Sequence, residues 1–305
     1  MHYYNSMRDL IGQTPLVKIN YAFEQVEGVN LFAKLEYYNP SGSVKDRTGL
    51  YMVEDAIKDG RLKRGSTIVE ATAGNTGLGV AFAALNQGFH VIFVVPEKFS
   101  EEKQILMKAL GADIIHTKRE DGMLGAATKA QELLSEIKDS ISLQQFKNMS
   151  NPKAHYETTG PEIYHDLDGK IDYLVAGAGS GGTYSGVVKF LKEQNRNIKG
   201  ILADPVGSTM GGGEHADYDI EGIGNDFIAD TMDMSLVDKV IKINDTQAFD
   251  GARALARHEG ILGGSSTGAA FSATLKLINE HHVKGNIVFI APDSGDRYFS
   301  KHLYA

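Results

Sequence analysis

The sequence predicts an α/β protein of two lobes, each built on a mostly parallel twisted sheet with helices on both faces. Three observations carry that reading. Strand-length runs such as His90-Val91-Ile92-Phe93-Val94-Val95 are apolar without alternation, as strands covered on both faces are. Along the chain these runs alternate with segments of helical periodicity, the order that a parallel sheet wrapped in helices requires. The length of 305 residues suggests two lobes, with one large α/β unit as the alternative.

The elements follow in order. Asp9-Leu10-Ile11-Gly12-Gln13-Thr14-Pro15-Leu16-Val17 reads as a turn feeding a short strand, because Pro15 fixes its backbone and branched residues follow. Leu31-Phe32-Ala33-Lys34-Leu35-Glu36 alternates as a strand does, and runs into the turn-rich stretch Asn39-Pro40-Ser41-Gly42-Ser43-Val44-Lys45-Asp46-Arg47. An amphipathic helix is expected over 48–57, a strand over 66–70, and a buried helix over 78–85. After the strand at 90–95 come a helix over 100–110 with Gly111 past its end, a strand over 113–116, and a helical region over 120–137 broken by a glycine turn. Gln144-Gln145-Phe146 closes the first lobe, and the polar segment Asn148-Met149-Ser150-Asn151-Pro152 crosses to the second. Strands are expected there over 171–176, 199–204 and 286–290, with helices over 184–191 and 248–258 among those between them. Gly211-Gly212-Gly213 reads as a mobile loop.

Composition narrows the function. A content of 42% hydrophobic and 23% charged residues is that of an ordinary globular protein. A net charge of −8 without any basic cluster argues against nucleic acid or an anionic membrane as partner. No stretch is apolar enough for a membrane span and the first residues lack the pattern of a secretory signal, so a cytoplasmic protein is expected. There are no cysteines, which removes disulfides, thiolate metal sites and cysteine nucleophiles. His281-His282 is the one local histidine pair, and adjacent residues on a helix point apart, so no metal site is expected and the ten histidines read as surface residues.

In parallel sheets ligands gather beyond the carboxyl ends of strands, which directs attention to the loops there. Gly177-Ala178-Gly179-Ser180-Gly181-Gly182-Thr183 precedes a helix, and its glycines, hydroxyls and helix start form a cradle for a phosphate. The same loop matches G-x-G-x-x-G at Gly177, Gly179 and Gly182, with Asp204 at the end of the next strand, so an NAD-dependent dehydrogenase is an alternative on this feature. Ala71-Thr72-Ala73-Gly74-Asn75-Thr76-Gly77 offers amides and hydroxyls to a carboxylate, and Asn75 has both a donor and an acceptor for a ring hydroxyl. Leu262-Gly263-Gly264-Ser265-Ser266-Thr267-Gly268 presents hydroxyls at another helix start. Helix capping alone would account for either of these two loops. The fourth loop is Pro292-Asp293-Ser294-Gly295-Asp296-Arg297-Tyr298, whose Asp296 and Arg297 read as structural. Lys45 lies at the mouth of a helix, where amides and the dipole disfavour an added cation, as a Schiff-base lysine needs; solvent exposure is its bland alternative.

Taken together, these motifs resemble the fold-type II pyridoxal-phosphate enzymes of β-replacement, the cysteine synthase and cystathionine β-synthase family, whose fold is that of the tryptophan synthase β chain. The likeness runs from Ile11-Gly12-Gln13-Thr14-Pro15-Leu16 to Pro292-Asp293-Ser294-Gly295, in the family's order. It implies pyridoxal 5'-phosphate as cofactor and Lys45 as its Schiff-base and catalytic residue. It further implies a phosphate cup of Gly179, Ser180, Gly181, Gly182 and Thr183, Asn75 at the ring hydroxyl and Ser266 at the pyridine nitrogen. Thr72, Ala73, Asn75, Thr76 and Gln145 would receive the substrate carboxylate, and Gly222 would border the substrate. The family usually has serine or another small polar residue where Ala73 stands. A serine at the ring nitrogen holds it protonated less firmly than a carboxylate would, which favours loss of a β-substituent over transamination.

The resemblance also implies a larger cofactor-binding domain of residues 1–39 plus 147–305 and a smaller, mobile substrate-side domain of 40–146. It implies a homodimer acting on small amino-acid and thiol substrates. Asp204-Pro205-Val206-Gly207-Ser208, the stretch 220–228 and Ala73 look most like the bacterial cystathionine β-synthases that join O-acetylserine, or serine, to homocysteine; a sulfide-using cysteine synthase is the alternative. Neither a haem segment nor a regulatory domain is expected in this chain. The dehydrogenase alternative leaves the Lys45, Asn75 and Ser266 loops without a purpose. A pyridoxal-phosphate binding partner or sensor without turnover is the reading from another class; the intact Lys45, Asn75, Gln145 and Ser266 argue against it, because a protein without turnover is free to lose them.

Overall fold

The computed structural model describes residues 1, 3–97 and 101–305. In chain order its first elements are strands β1 (Leu16–Ile19) and β2 (Val29–Leu35), helix α1 (Lys45–Lys58), β3 (Thr67–Ala71), α2 (Asn75–Ala84), β4 (His90–Pro96), α3 (Glu101–Ala109), β5 (Asp113–Thr117), α4 (Gly122–Glu136) and β6 (Ser140–Ile141). There follow α5 (Ser150–Ala154), α6 (Gly160–Asp166), β7 (Tyr173–Gly177), α7 (Gly182–Gln194), β8 (Lys199–Pro205), β9 (Lys239–Ile243), α8 (Asp245–Glu259), α9 (Ser265–His281) and β10 (Gly285–Ala291). Ser100, the expected first residue of α3, lies outside the described residues. The chain divides into two compact units, one of Met1–Ile11 with Lys45–Asn151, the other of Gly12–Val44 with Pro152–Ala305.

In the first unit the strands run β5-β4-β3-β6, all parallel. Side chains alternate across β3 and β4, so the two faces bury different sets. Ile68, Val91, Phe93 and Val95 pack with Met52, Val53, Leu78, Val80 and Met107 of α1, α2 and α3. Val69 and Val94 pack with Ala126 and Ala130 of α4 on the other face. Both faces are therefore apolar, which is why β4 reads as an unbroken hydrophobic run.

In the second unit the order is β1-β2-β10-β7-β8-β9, and only β1 is antiparallel to its neighbour. Leu31, Ala33, Val175, Ile201 and Phe289 face Leu255 and Phe271 of α8 and α9. Leu174, Leu202, Val288 and Ile290 face Ile163, Val187 and Leu191 of α6 and α7. Strand β9 is an addition to the sequence reading. It is an edge strand, half-buried, and its lysines mask the apolar alternation.

Between α5 and α6 the chain widens into a π-helical turn, His155–Thr159. The expectation that the histidines lie on the surface fails here, because His155 is fully buried. Its Nδ1 lies 2.9 Å from Thr159 Oγ1 and its Nε2 3.2 Å from Thr183 Oγ1. Gly186 of α7 lets this turn approach, since a Cβ there would lie 2.2 Å from the carbonyl of Pro152.

Candidate functional site

In the first unit the expected site residues collect where α1 and α2 cross. Lys45 is the first residue of α1 and is half-buried. The helices touch through glycines: a Cβ on Gly79 would lie 2.2 Å from the carbonyl oxygen of Lys45, and one on Gly49 2.3 Å from the carbonyl carbon of Gly79. Only a glycine pair allows this approach, and it seats the start of α1 against the second turn of α2. Glycine inside a helical pattern is the sequence signal for such a contact.

Helix α2 begins at Asn75, three residues earlier than its apolar pattern suggests, so Asn75 and Thr76 form its first turn. Its N-cap is Gly74, which has no side chain to cap with. The residue at the N-cap position is therefore none of Thr72, Asn75 and Thr76. The amides of Ala73 and Thr76 carry no backbone hydrogen bond among the described residues. Thr76 Oγ1 donates to Gln145 Oε1 at 2.7 Å, joining the two ends of the expected carboxylate site.

Glu70 holds that pair in register. Its Oε1 accepts from the amide of Leu143, from the amide of Gln144 at 3.0 Å and from Ser142 Oγ at 3.0 Å. Burial raises the Glu70 pKa from the usual carboxylate value, against the lowering effect of the Gln144, Leu143 and Ser142 hydrogen bonds. The carbonyl of Gln145 in turn accepts from Asn151 Nδ2 at 2.9 Å, and Asn151 Oδ1 accepts from Thr48 Oγ1 of α1 at 3.1 Å. Glu70 and Asn151 gave no motif-level signal in the sequence, because their partners are scattered along it.

In the second unit the loop after β7 forms a cradle. The carbonyl of Ala178 accepts from the amide of Gly224 at 2.8 Å, that of Gly179 from Asn225 Nδ2 at 2.6 Å, that of Ser180 from Thr231 Oγ1 at 2.5 Å and that of Gly181 from the amide of Ser185 at 2.9 Å. The amides of Gly179, Gly181, Gly182 and Thr183 have no backbone partner among the described residues. Gly181 adopts φ +82° and is the N-cap of α7, again without a side-chain cap. Outward carbonyls, unengaged amides and the positive end of a 13-residue helix make an anion site.

Helix α9 also starts from a glycine N-cap, Gly264, without a cap hydrogen bond. Ser265 Oγ accepts from the amide of Glu221 at 3.0 Å. Ser266 is buried, and its hydroxyl makes no hydrogen bond among the described residues. That leaves it available to a ring nitrogen. Gly222 is exposed with φ +83°, and its carbonyl packs on Gly179, where a Cβ would lie 2.4 Å from it. Asp204, the acid of the dinucleotide alternative, is buried and paired with Lys242 Nζ at 2.5 Å, so its carboxylate is committed within the protein. Gly211 is tied to the same carboxylate through its amide at 3.1 Å, while Gly212 and Gly213 are exposed.

Fold and site thus define an α/β protein with an anion cradle at the carboxyl end of a parallel sheet. The chain belongs to the family of pyridoxal-phosphate dependent enzymes, whose model matches residues 7–293. It is 50% identical over 296 residues to a Bacillus subtilis protein named O-acetylserine dependent cystathionine beta-synthase, covering 97% of this chain and 96% of the relative. It is 43% identical over 303 residues to a cysteine synthase of Helicobacter pylori strain J99, covering 98% and 99% of the two. The crystal structure of the O-acetylserine dependent cystathionine beta-synthase from Helicobacter pylori superposes with a TM-score of 0.93 at 42% identity, over 100% of both chains. The protein is therefore a pyridoxal-phosphate dependent enzyme of the cysteine synthase and cystathionine β-synthase group. The dehydrogenase and non-catalytic readings fall away. The amides of Gly179, Gly181, Gly182 and Thr183, which have no backbone partner among the described residues, and the hydroxyl of Ser266 fit the cofactor's phosphate and ring nitrogen.

Proposed function

We propose that this enzyme replaces the β-substituent of O-acetylserine, or of serine, with the thiol of homocysteine, giving cystathionine for cysteine biosynthesis by reverse transsulfuration. The 50% identity to a relative named for that reaction carries the reading, and Ala73 supports it. Cysteine synthesis from sulfide is the second reading, supported by the 43% identical relative named cysteine synthase.

When bound, pyridoxal 5'-phosphate supplies the electron sink that acidifies the substrate's Cα–H and lets the β-substituent leave. The chain's residues divide the remaining work. Lys45 holds the cofactor through its amine and, once released, takes the Cα proton and returns it. Thr72, the amides of Ala73 and Thr76, and Gln145 bind the substrate carboxylate, and Asn75 bonds the ring hydroxyl. Gly179, Ser180, Gly181, Gly182 and Thr183 bind the phosphate, Ser266 faces the ring nitrogen, and Gly222 borders the entering thiol. The helix dipole of α7 favours the phosphate dianion.

We assign small-molecule substrates only, with a homodimer in the cytoplasm as the working form. No helix among the described residues is long and apolar enough to cross a membrane. Competing homocysteine against sulfide with O-acetylserine as donor, and comparing kcat/KM, decides the acceptor. Preference for homocysteine is expected; a large preference for sulfide assigns the enzyme to cysteine synthesis instead.

A further inference from the structure

We propose that Asn225 and Thr231 are positioning residues of the phosphate cup, fixing its amides from behind without touching the ligand. The proposal rests on reading 179–183 as that cup.

A peptide group is planar and trans, so its carbonyl and the following N–H point in opposite directions. Pinning the carbonyl of one residue outward therefore aims the next residue's N–H inward. Asn225 Nδ2 pins the carbonyl of Gly179 at 2.6 Å and so aims the amide of Ser180. Thr231 Oγ1 pins the carbonyl of Ser180 at 2.5 Å and so aims the amide of Gly181. The other two pins, on Ala178 and Gly181, come from backbone amides. Two of the four orientations thus depend on side chains, both on the long segment between β8 and β9.

Those side chains are themselves anchored. The carbonyl of Asn225 accepts from the amides of Thr209 at 3.0 Å and Met210 at 3.1 Å and from Ser208 Oγ at 3.1 Å, and its amide donates back to Ser208 Oγ at 3.1 Å. The carbonyl of Ser208 accepts from Lys242 Nζ at 2.7 Å, and that lysine pairs with Asp204 at the end of β8. Thr231 is buried, and Met232 beside it packs on Gly181, where a Cβ would lie 2.4 Å from its side chain. A glycine loop alone would sample many conformations. Here the segment bearing Asn225 and Thr231 selects one, and the entropy of ordering the cup is met before the phosphate arrives.

The test uses Asn225→Ala and Thr231→Val in the full-length enzyme, resolved of cofactor and titrated with pyridoxal 5'-phosphate and, separately, with phosphate-free pyridoxal. Each variant is expected to weaken pyridoxal 5'-phosphate about three- to tenfold, the loss of one well-made hydrogen bond. Pyridoxal affinity should stay unchanged, Thr231→Ser should restore binding, and the 31P resonance of the bound cofactor should shift in both variants. Thr183→Ala serves as the direct-contact control. Weakening in Thr183→Ala with none in the other two overturns the positioning role and leaves the cup in place. No weakening in any of the three overturns the cup reading itself. Equal losses for both ligands mean a general disturbance and also overturn the proposal.

Discussion

Gly79 is the residue on which the first unit's site turns, because its missing Cβ is what lets the carbonyl of Lys45 come into contact with α2. Gly79→Ala would force the helices apart and is expected to cost about 3 kcal/mol or more, since the obstacle is backbone and cannot rotate away. Urea denaturation would read the loss, and a matching fall in activity would show that the start of α1 had moved with it. At Lys45 itself, Lys45→Ala is expected to lower kcat about 10³-fold or more. Borohydride reduction followed by peptide mass mapping should place the pyridoxyl group on Lys45 in the parent enzyme and nowhere in the variant. The candidate residues Lys45, Asn75, 179–183 and Ser266 could be named from the sequence because they stand in short contiguous motifs. Asn225 and Thr231 could not, because each acts on a backbone carbonyl 46 or 51 residues away, which leaves no local pattern. The burial of His155 was equally hidden, since the π-helical turn that creates it has no hydrophobic period of its own.

Among the elements, three helix starts share one device. Helices α2, α7 and α9 each take a glycine as N-cap and leave it without a side-chain bond. Helix α8 shows the contrast. There Asn244 and Gln247 make a full capping box, and its start is a structural one. Strands were legible wherever both faces are buried, as in β4 and β10, and illegible at the two-residue β6 and the edge strand β9. The tether from β3 to residues 142–144 belongs to this scale and carries a pH dependence. Burial raises the pKa of Glu70, so the folded unit binds a proton that the unfolded chain has already released. Its stabilising contribution is complete below the unfolded carboxylate value and declines as pH rises through the raised folded value. Glu70→Gln, which keeps the accepting oxygen, is expected to remove that decline. Urea midpoints of variant and parent should diverge in the variant's favour as pH climbs across this interval; parallel profiles would refute the assignment.

At the scale of the molecule, chain order and spatial order disagree. Strand β2 is made early, yet in its sheet it lies between β1 and β10, and β10 is the last strand of all. During synthesis the β1–β2 pair therefore waits with one edge open until residue 291 has emerged, and β10 then joins it to β7. The first unit faces a shorter delay, because its sheet is contiguous in sequence from β3 to β6. A chain truncated after residue 282 is expected to lose the second unit's sheet and to retain no cofactor, while residues 45–151 keep their hydrogen-exchange protection. Pulse-labelling exchange would resolve the two. The cradle after β7 is subject to the same clock, for the carbonyl of Ser180 is not pinned until Thr231 has been translated and folded back. Under the proposed reading the cradle is thus ordered later than the helix it opens, and a stalled ribosome holding all of α7 would carry a glycine loop that has not yet learned its shape.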